Sequence, residues 1–296
     1  MKLIFEKSEQ FILTHGRELE KALFNYHFKD GSKNSVLNEL IKFQNQDGGF
    51  GNGIEPDLRL PESTAISTWC ALRLLKDLEI SDDETVLNAA LDYLELKFNT
   101  KKRGWDIVVP EVNNCPHAPW WNYEGAIKHF GWGNPSAEIL GFFIKYRSSS
   151  KLIKPLLELA PQKILEVKPS DFHEIDSFEK LYDLADDNLK EQLYKPLISL
   201  MQNSIEKDPE KQSEYVARPL TFIDSPSDKL ISAFSPTLIE ENLCFIVKSF
   251  DHKSGCWHPN WDWAGNYPEQ WQKAKQEWQG ILTLNNLLKL RAFGKI

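Results

Sequence analysis

Cysteine is sparse: Cys70, Cys115, Cys244 and Cys256 stand far apart, and no CxxC pair occurs. That excludes a disulfide framework or a zinc ribbon as the organising device and leaves reduced, mostly buried thiols as the expected state. Clusters of Lys and Arg are missing too, and the net charge is −8. Nucleic-acid binding draws on a basic patch to neutralise phosphates, so no nucleic-acid partner is expected. There is no run of eighteen apolar residues, and the opening MKLIFEKSEQFILTHGRELEK carries charges every few residues where a secretory leader would be apolar. A cytoplasmic protein without a transmembrane segment is the expectation. Alternating β-branched strands are scarce, VVP at 108–110 being too short. No Gly/Ser-rich, Pro-rich or single-sign charge run divides the chain, so one domain over residues 1–296 is expected.

Helical periodicity dominates what is present. With 41% hydrophobic residues and ten tryptophans, the chain has ample apolar surface for a core. Between Ser81 and Phe98, Leu87, Leu91, Leu94 and Phe98 fall three and four apart on one face, and Ser81 with Glu84 has capping-box spacing. A helix over about 34–44 places Leu37, Leu40, Ile41 and Gln44 on a stripe; another over 62–78 uses Ile66, Trp69 and Leu72 or Arg73. Asn134 before Pro135 reads as an N-cap followed by proline at the first helical position, opening SAEILGFFIKY. Further helices are expected over roughly 6–29, 173–185, 187–206, 236–250 and 268–292.

A weak internal repeat organises these helices. LNELIKFQNQDGGFG leads to PESTAISTWCALRLL, LNAALDYLELKFNTKKRGW to NPSAEILGFFIKYRS, and IEENLCFIVKSFDHKSGCW to EQWQKAKQEWQGILTLNNLLKL; a middle copy around SEYVARPLTFIDSPSD is degenerate. In each clear copy a helix ends, a Gly-aromatic turn follows, and another helix begins. Helix pairs that each bury one face need neighbours to complete a core, and a limited number can close into a ring. The expected fold is all-α, an α/α toroid of about five or six helix hairpins with long aromatic-rich loops at one end. An open solenoid shares the local pattern, but its repeats are more equal in length.

The string FQNQDGGFG at 43–51 resembles the QW-type repeat of terpenoid cyclases and the DGGFG turns of protein prenyltransferase β-subunits. The resemblance implies that a glutamine at a helix end, Gln44 or Gln46, and the aromatic Phe50 after Gly48 and Gly49 tie adjacent helix pairs together. Gly104 with Trp105, and Gly255 with Trp257, match the Gly-aromatic part only. DGGFGNGIEPDLRLPES, WHPNWDWAGNYPEQW and EWQGILTLNNLLKLRAFG are together similar to bacterial proteins carrying prenyltransferase-like repeats. Departures from the superfamily's ionising motifs are clear. No DxDD occurs, and the strings nearest to DDxxD, DDETV at 82–86 and DDNLK at 186–190, lack the final Asp. Asp82 and Asp83 instead read as first-turn residues favoured by a helix dipole. Prenyltransferases of this type bind zinc through Asp, Cys and His, which draws attention to Cys115 with His117 and Cys256 with His258. Neither C-x-H pair is a complete ligand set, and no metal or cofactor is assigned.

Two long stretches, about 99–133 and 251–270, escape helical periodicity. Connections of that length are usually functional or disordered, and their aromatic richness argues against disorder. Trp105, His117, Trp120, Trp121, Glu124, Trp257, His258, Trp261 and Trp263, with Phe50 and Arg59, are the expected substrate-binding groups. Indole faces stabilise a cation or stack on a sugar. The segment GNGIEPDLRLPES places Glu55, Asp57, Arg59 and Glu62 close together, and Pro56 and Pro61 keep it extended, so Glu55 and Asp57 point the same way. With Asp262 they are the expected acid/base groups. Glu55, Asp57, Trp120, Trp121, Trp261 and Asp262 are expected at one cavity mouth. The plainer readings are an ion pair of Glu55 or Asp57 with Arg59, and a tryptophan lid packed on helix ends. Asp224 and Asp228 in IDSPSDK read equally well as turn chemistry. The expected function is an enzyme acting on a small, largely apolar or uncharged organic substrate. Carbohydrate chemistry (hydrolase, lyase or epimerase) and a noncatalytic binding or scaffold role are the alternatives.

Overall fold

Amphipathic spacing sets most of the helices in the computed structural model, which describes residues 1–82 and 84–296. In chain order they are α1 (Lys2–His15), α2 (Glu18–Phe28), α3 (Lys33–Leu40), α4 (Ala65–Asp77), α5 (Thr85–Leu96), α6 (Tyr123–His129), α7 (Gly133–Tyr146), α8 (Ile153–Lys163), α9 (Phe172–Leu184), α10 (Asp187–Ser204), α11 (Pro219–Phe222), α12 (Pro236–Lys248) and α13 (Pro268–Ala292). Among the described residues no strand forms; isolated bridges alone pair extended segments. The all-α expectation holds, and no helix of the described residues is long and apolar enough to cross a membrane.

Backbone contacts divide the chain into two compact units, one formed by Met1–Lys42 with Ile205–Ile296 and the other by Phe43–Ser204. In the first, α13 packs against α1 and α2, and α11 against α12. In the second, α7 is the centre: every residue from Gly133 to Phe143 is buried, and the helix packs against α4, α8 and α9. An apolar run buried on all sides is what SAEILGFFIKY demands, except at Glu138.

Several sequence expectations need correction in detail. The expected single helix over 6–29 is two helices, interrupted at Gly16, whose backbone is extended. α5 starts at Thr85, not Ser81, because Glu84 is itself the extended N-cap residue; its N–H reaches the Ser81 carbonyl in a preceding turn, so the two form no capping box. Asp83 of DDETV lies outside the described residues. α3 buries Val36 and Leu40, while Ile41, expected on the stripe, is exposed in a short 3₁₀ turn. Asp186 of DDNLK caps α10 by accepting the Leu189 N–H at 2.9 Å, the turn-capping role its position favours. α8 has no counterpart among the sequence expectations, and the irregular stretch 99–133 contains α6 and two 3₁₀ turns, Pro110–Asn114 and Pro119–Trp121.

The repeat turn is more regular in space than in sequence. Residues 43–50 (FQNQDGGF), 98–105 (FNTKKRGW) and 250–257 (FDHKSGCW) each begin with Phe and end, seven residues later, on an aromatic. Each closes through an antiparallel bridge: Gln44 with Phe50, Asn99 with Gly104, Asp251 with Cys256. The closing aromatic then donates its backbone N–H to a hydroxyl on a neighbouring helix. Phe50 reaches Thr68 of α4 at 3.0 Å, Trp105 reaches Ser136 of α7 at 3.0 Å, and Trp257 reaches Thr283 of α13 at 3.2 Å.

The tie to the other helix is made in two ways. The indole N–H of Trp105 donates to the Leu94 carbonyl of α5 at 2.7 Å, and that of Trp257 to the Ile246 carbonyl of α12 at 2.8 Å. Phe50 has no such donor, and here Gln44 serves, its amide reaching the carbonyls of Gly48 at 2.8 Å and Val86 of α5 at 3.0 Å. Of the two candidate glutamines, Gln44 therefore makes the tie. Gly48 is required in this turn: its φ is +86°, and a Cβ would stand 2.3 Å from the Ala89 carbonyl oxygen.

Candidate functional site

The turn at 43–50 delivers the chain into an irregular segment that is nonetheless buried. Ile54, Glu55, Pro56, Asp57, Leu58 and Leu60 are all inside the protein, with Glu55 7% and Asp57 2% exposed. Burying a loop costs unpaired backbone groups unless another segment satisfies them. Here the partner is the stretch 115–118. Ala118 N–H donates to the Asp57 carbonyl at 2.8 Å, Arg59 N–H to the Pro116 carbonyl at 3.0 Å, and Leu58 bridges His117. Beside Arg59, Gly53 adopts φ +75°, and a Cβ there would stand 3.0 Å from the guanidinium Nη1.

Leu58 stands opposite His117, which is 8% exposed and whose Nδ1 lies 2.7 Å from the Cys115 carbonyl, so Asp57 and Arg59 alternate to the other face of the paired segments. The Glu55 carbonyl accepts the Leu58 N–H at 3.1 Å in a turn, rather than continuing an extended run. Burial, followed by the charge of Glu62, pushes the Cys115 thiol up, away from the thiolate a metal or a nucleophilic role would need. Trp121, four residues past His117, is buried and stacks on Phe130 with ring centroids 5.2 Å apart. Trp120 is half-buried. Glu124 faces solvent and accepts from the Asn113 side chain at 3.0 Å; that hydrogen bond is the main influence holding its carboxyl below the usual range.

Other expected binding groups are core residues. Phe50 and Trp263 are wholly buried, and Trp105 stacks on Phe143 at 5.7 Å within the core. Trp257 is buried with its indole N–H committed to the α12 carbonyl. Trp257, His258, Trp261, Asp262 and Trp263 belong to the first unit, whereas Glu55, Asp57, Trp120 and Trp121 belong to the second. Trp261 packs edge-on against Tyr215 and Trp278 at 5.3 and 5.2 Å. Asp262 is exposed and accepts the Ala264 N–H at 2.6 Å, a local turn contact.

His258 sits in a cluster with Asp251, Ser254 and Cys256, but the geometry is not that of a relay. A relay places carboxylate and hydroxyl on opposite ring nitrogens. Here both Asp251 and Ser254 approach Nε2 at 3.0 Å, and Nδ1 is taken by Gln279 at 2.7 Å. The buried Cys256 thiol is pushed up mainly by burial. Asp251 is held low, first by Ser254 and then by His258, so the cluster locks the third repeat turn. Among the described residues no three His, Cys, Asp or Glu side chains are grouped to hold a metal ion.

Comparison with known proteins finds no matching family model, no matching curated protein and no matching solved structure.

Two carboxylate sites escaped the sequence reading. Glu138, on the buried face of α7, accepts from the Trp69 indole and from Arg73 Nε, both at 2.7 Å, and Arg73 Nη2 also pairs with Asp176 of α9 at 2.5 Å. Burial raises the Glu138 carboxyl against the opposing pull of Arg73. Burial also works against the Arg73 charge, but Asp176 and Glu138 outweigh it and hold the guanidinium pKa well above its usual value. Glu174, also on α9, accepts the Gly133 N–H at the start of α7 at 2.6 Å, and burial pushes its carboxyl up to about 7. An acidic residue interrupting the apolar run SAEILGFF was the available signal for Glu138. For Glu174 there was none, because FHEIDSFEKLY places charges at a surface-helix frequency.

Proposed function

We propose that this chain is an enzyme of the terpenoid-cyclase and prenyltransferase-like toroid type, a closed ring of helix hairpins acting on a small, uncharged, largely apolar molecule. The observation that supports this reading is the backbone pairing of 57–59 with 116–118, two irregular segments in which Glu55, Asp57 and His117 are all buried. Charged side chains are costly in a protein interior, and such concentrations are characteristic of sites where protons are moved. In this reading Glu55 and Asp57 exchange protons with substrate, Arg59, on the same face as Asp57, sets its charge, and Trp121 contributes an apolar wall. The ring is proposed because the three turns share their length and their backbone-to-hydroxyl hydrogen bond, the pattern expected of repeated helix hairpins.

An uncharged substrate follows from the charge balance. Releasing diphosphate requires metal-binding carboxylates or a strong cationic clamp. The 55–59 segment offers Arg59 against Glu55 and Asp57, and Asp186 is engaged as a helix cap. Incubation with geraniol, farnesol and geranylgeraniol, followed by mass spectrometry, is expected to show product formation that Asp57→Asn lowers at least about 100-fold. Parallel incubations with the corresponding diphosphates and Mg²⁺ are expected to release no diphosphate. Turnover of the diphosphates alone, or turnover of the alcohols unaffected by Asp57→Asn and Glu55→Gln, overturns the proposal.

A further inference from the structure

We propose that the cavity where α1, α2 and α13 meet binds a small amphipathic carboxylate, the anion of a medium-chain fatty acid, with its apolar chain against Phe5 and Phe28 and its head at Arg291. The site lies wholly within the first compact unit and is independent of the function assigned to the 55–59 segment.

Local sequence builds the recess. α13 packs against α1 and α2, and the three helices leave a cavity of about 370 Å³ lined by Met1, Lys2, Phe5, Phe28, Arg291 and Ile296. That size falls within the range of small-molecule sites, about 300–1,000 Å³. One wall comes from RAFGKI. Gly294, at φ +67°, donates its N–H to the Arg291 carbonyl at 2.9 Å, and Lys295 donates its own to the Leu290 carbonyl at 2.8 Å, the paired hydrogen bonds that close a helix on glycine. Lys295 also pairs with Glu240 of α12 at 2.8 Å, which fixes the segment and holds Ile296 against the cavity. The floor is aromatic. Phe24 is wholly buried and stacks on Phe28 at 5.2 Å, and Phe28 meets Phe5 edge-on at 5.4 Å. Phe5 and Phe28 are only half-buried and both face the cavity. Apolar surface held in place by packing beneath it gains by covering a hydrocarbon chain.

Charge at the mouth then selects the head group. Lys2 and Arg291 are among the lining residues, and no Asp or Glu side chain is. Arg291 lays its guanidinium on Phe28, 4.5 Å from the ring centroid, and donates Nη1 to the His27 carbonyl. Among the described residues it has no carboxylate partner, although the chain carries a net charge of −8, and the Ile296 carboxylate pairs with neither cation. Lys2 is exposed and lies 3.8 Å from Glu6, while Lys29, over the Phe5 ring at 5.8 Å, is neutralised by Glu9 at 2.7 Å. Nε and Nη2 of Arg291 are thus guanidinium donors beside an apolar wall, the arrangement that suits a carboxylate attached to a hydrocarbon. An ammonium head would meet like charge, and a hydroxyl head would forgo the charge-assisted hydrogen bonds.

Methionine occurs twice, as Met1 in the cavity wall and as Met201, wholly buried on α10 in the second unit, so the two methyl groups report the site and a control separately. The full-length protein labelled with ¹³C-methyl methionine, its signals assigned by loss of one in Met201→Leu, is titrated with hexanoate, octanoate, octane-1,2-diol and octylamine below their aggregation concentrations. Octanoate is expected to shift the Met1 signal saturably, with a dissociation constant of about 1 mM or tighter, and to leave Met201 in place. Hexanoate is expected to bind about tenfold more weakly, as the loss of two buried CH₂ groups requires, and the diol and the amine at least about tenfold more weakly for want of the carboxylate. Arg291→Gln is expected to weaken octanoate binding about tenfold or more with the Met201 signal unmoved. Should that variant displace Met201, Arg291→Lys decides, because the retained charge is expected to keep octanoate affinity within about fivefold of the native protein. No saturable Met1 shift with octanoate overturns the proposal. So does hexanoate, diol or amine binding as tight as octanoate, octanoate affinity unchanged in a folded Arg291→Gln, or a larger loss in Arg291→Lys where that variant decides.

Discussion

Glu174 illustrates how a single buried carboxyl couples to the stability of its surroundings. It is 6% exposed, caps α7 through the Gly133 N–H, and lies so close to Gly131 that a Cβ there would stand 2.0 Å from its Oε2. Its folded-state pKa, about 7, exceeds the ordinary carboxyl value of 4.5. Between those values the folded protein binds the extra proton, so stability is greatest at the acidic end of this window and falls as pH rises through it. The difference corresponds to about 3 kcal/mol for complete titration. Lys163 and Glu166 from the α8 side, and Asp171 at the cap of α9, are the charged groups that influence it. Glu174→Gln, which retains an acceptor for Gly133, is expected to flatten the dependence of urea-unfolding free energy on pH between 4.5 and 7 and to stabilise the protein at pH 8. An unchanged slope would assign that pH dependence to other groups.

The turn motif shows at the element scale how different residues perform one task. A tryptophan indole does at 105 and 257 what Gln44 does beside Phe50: each satisfies a carbonyl on the adjoining helix. The hydroxyls of Thr68, Ser136 and Thr283 accept the closing N–H in all three cases. Ser136→Ala and Thr283→Val would each leave a buried N–H without an acceptor, a loss of about 1–3 kcal/mol per site. Urea titrations of the two variants measure it, and losses within experimental error would mean that the hydroxyls do not hold the turns. The Gly-aromatic pairs were legible because glycine and aromatic residues are distinctive. The hydroxyl partners were not, because Ser and Thr are common on helices and their partners lie between 18 and 31 residues away. α8 was hidden for a related reason. Proline in a helix interior removes a hydrogen bond, but Pro155 falls in the first turn of α8, where a missing N–H is tolerated, and Leu156, Leu159 and Ala160 supply a buried stripe.

At the scale of the whole molecule, the two compact units make cooperativity the informative measurement. A closed ring in a single domain, as proposed, is expected to unfold in one calorimetric transition with calorimetric and van't Hoff enthalpies equal. Two resolved transitions would instead indicate units that unfold separately. The sequence by itself determined the all-helical class, most helix positions and the repeat turns, because helical periodicity and turn chemistry are local properties of neighbouring residues. It also marked the 55–59 segment, through charges and prolines that no helix could accommodate. The tertiary structure alone decided that 115–118 pairs with that segment, that Trp105, Trp257 and Trp263 are core, and that Asp262 serves a turn. It alone joined Arg73, Glu138 and Asp176, which are 65 and 103 residues apart as measured from Arg73. Burial and charge pairing at such separations are set by which helix faces meet, and no local pattern encodes that choice.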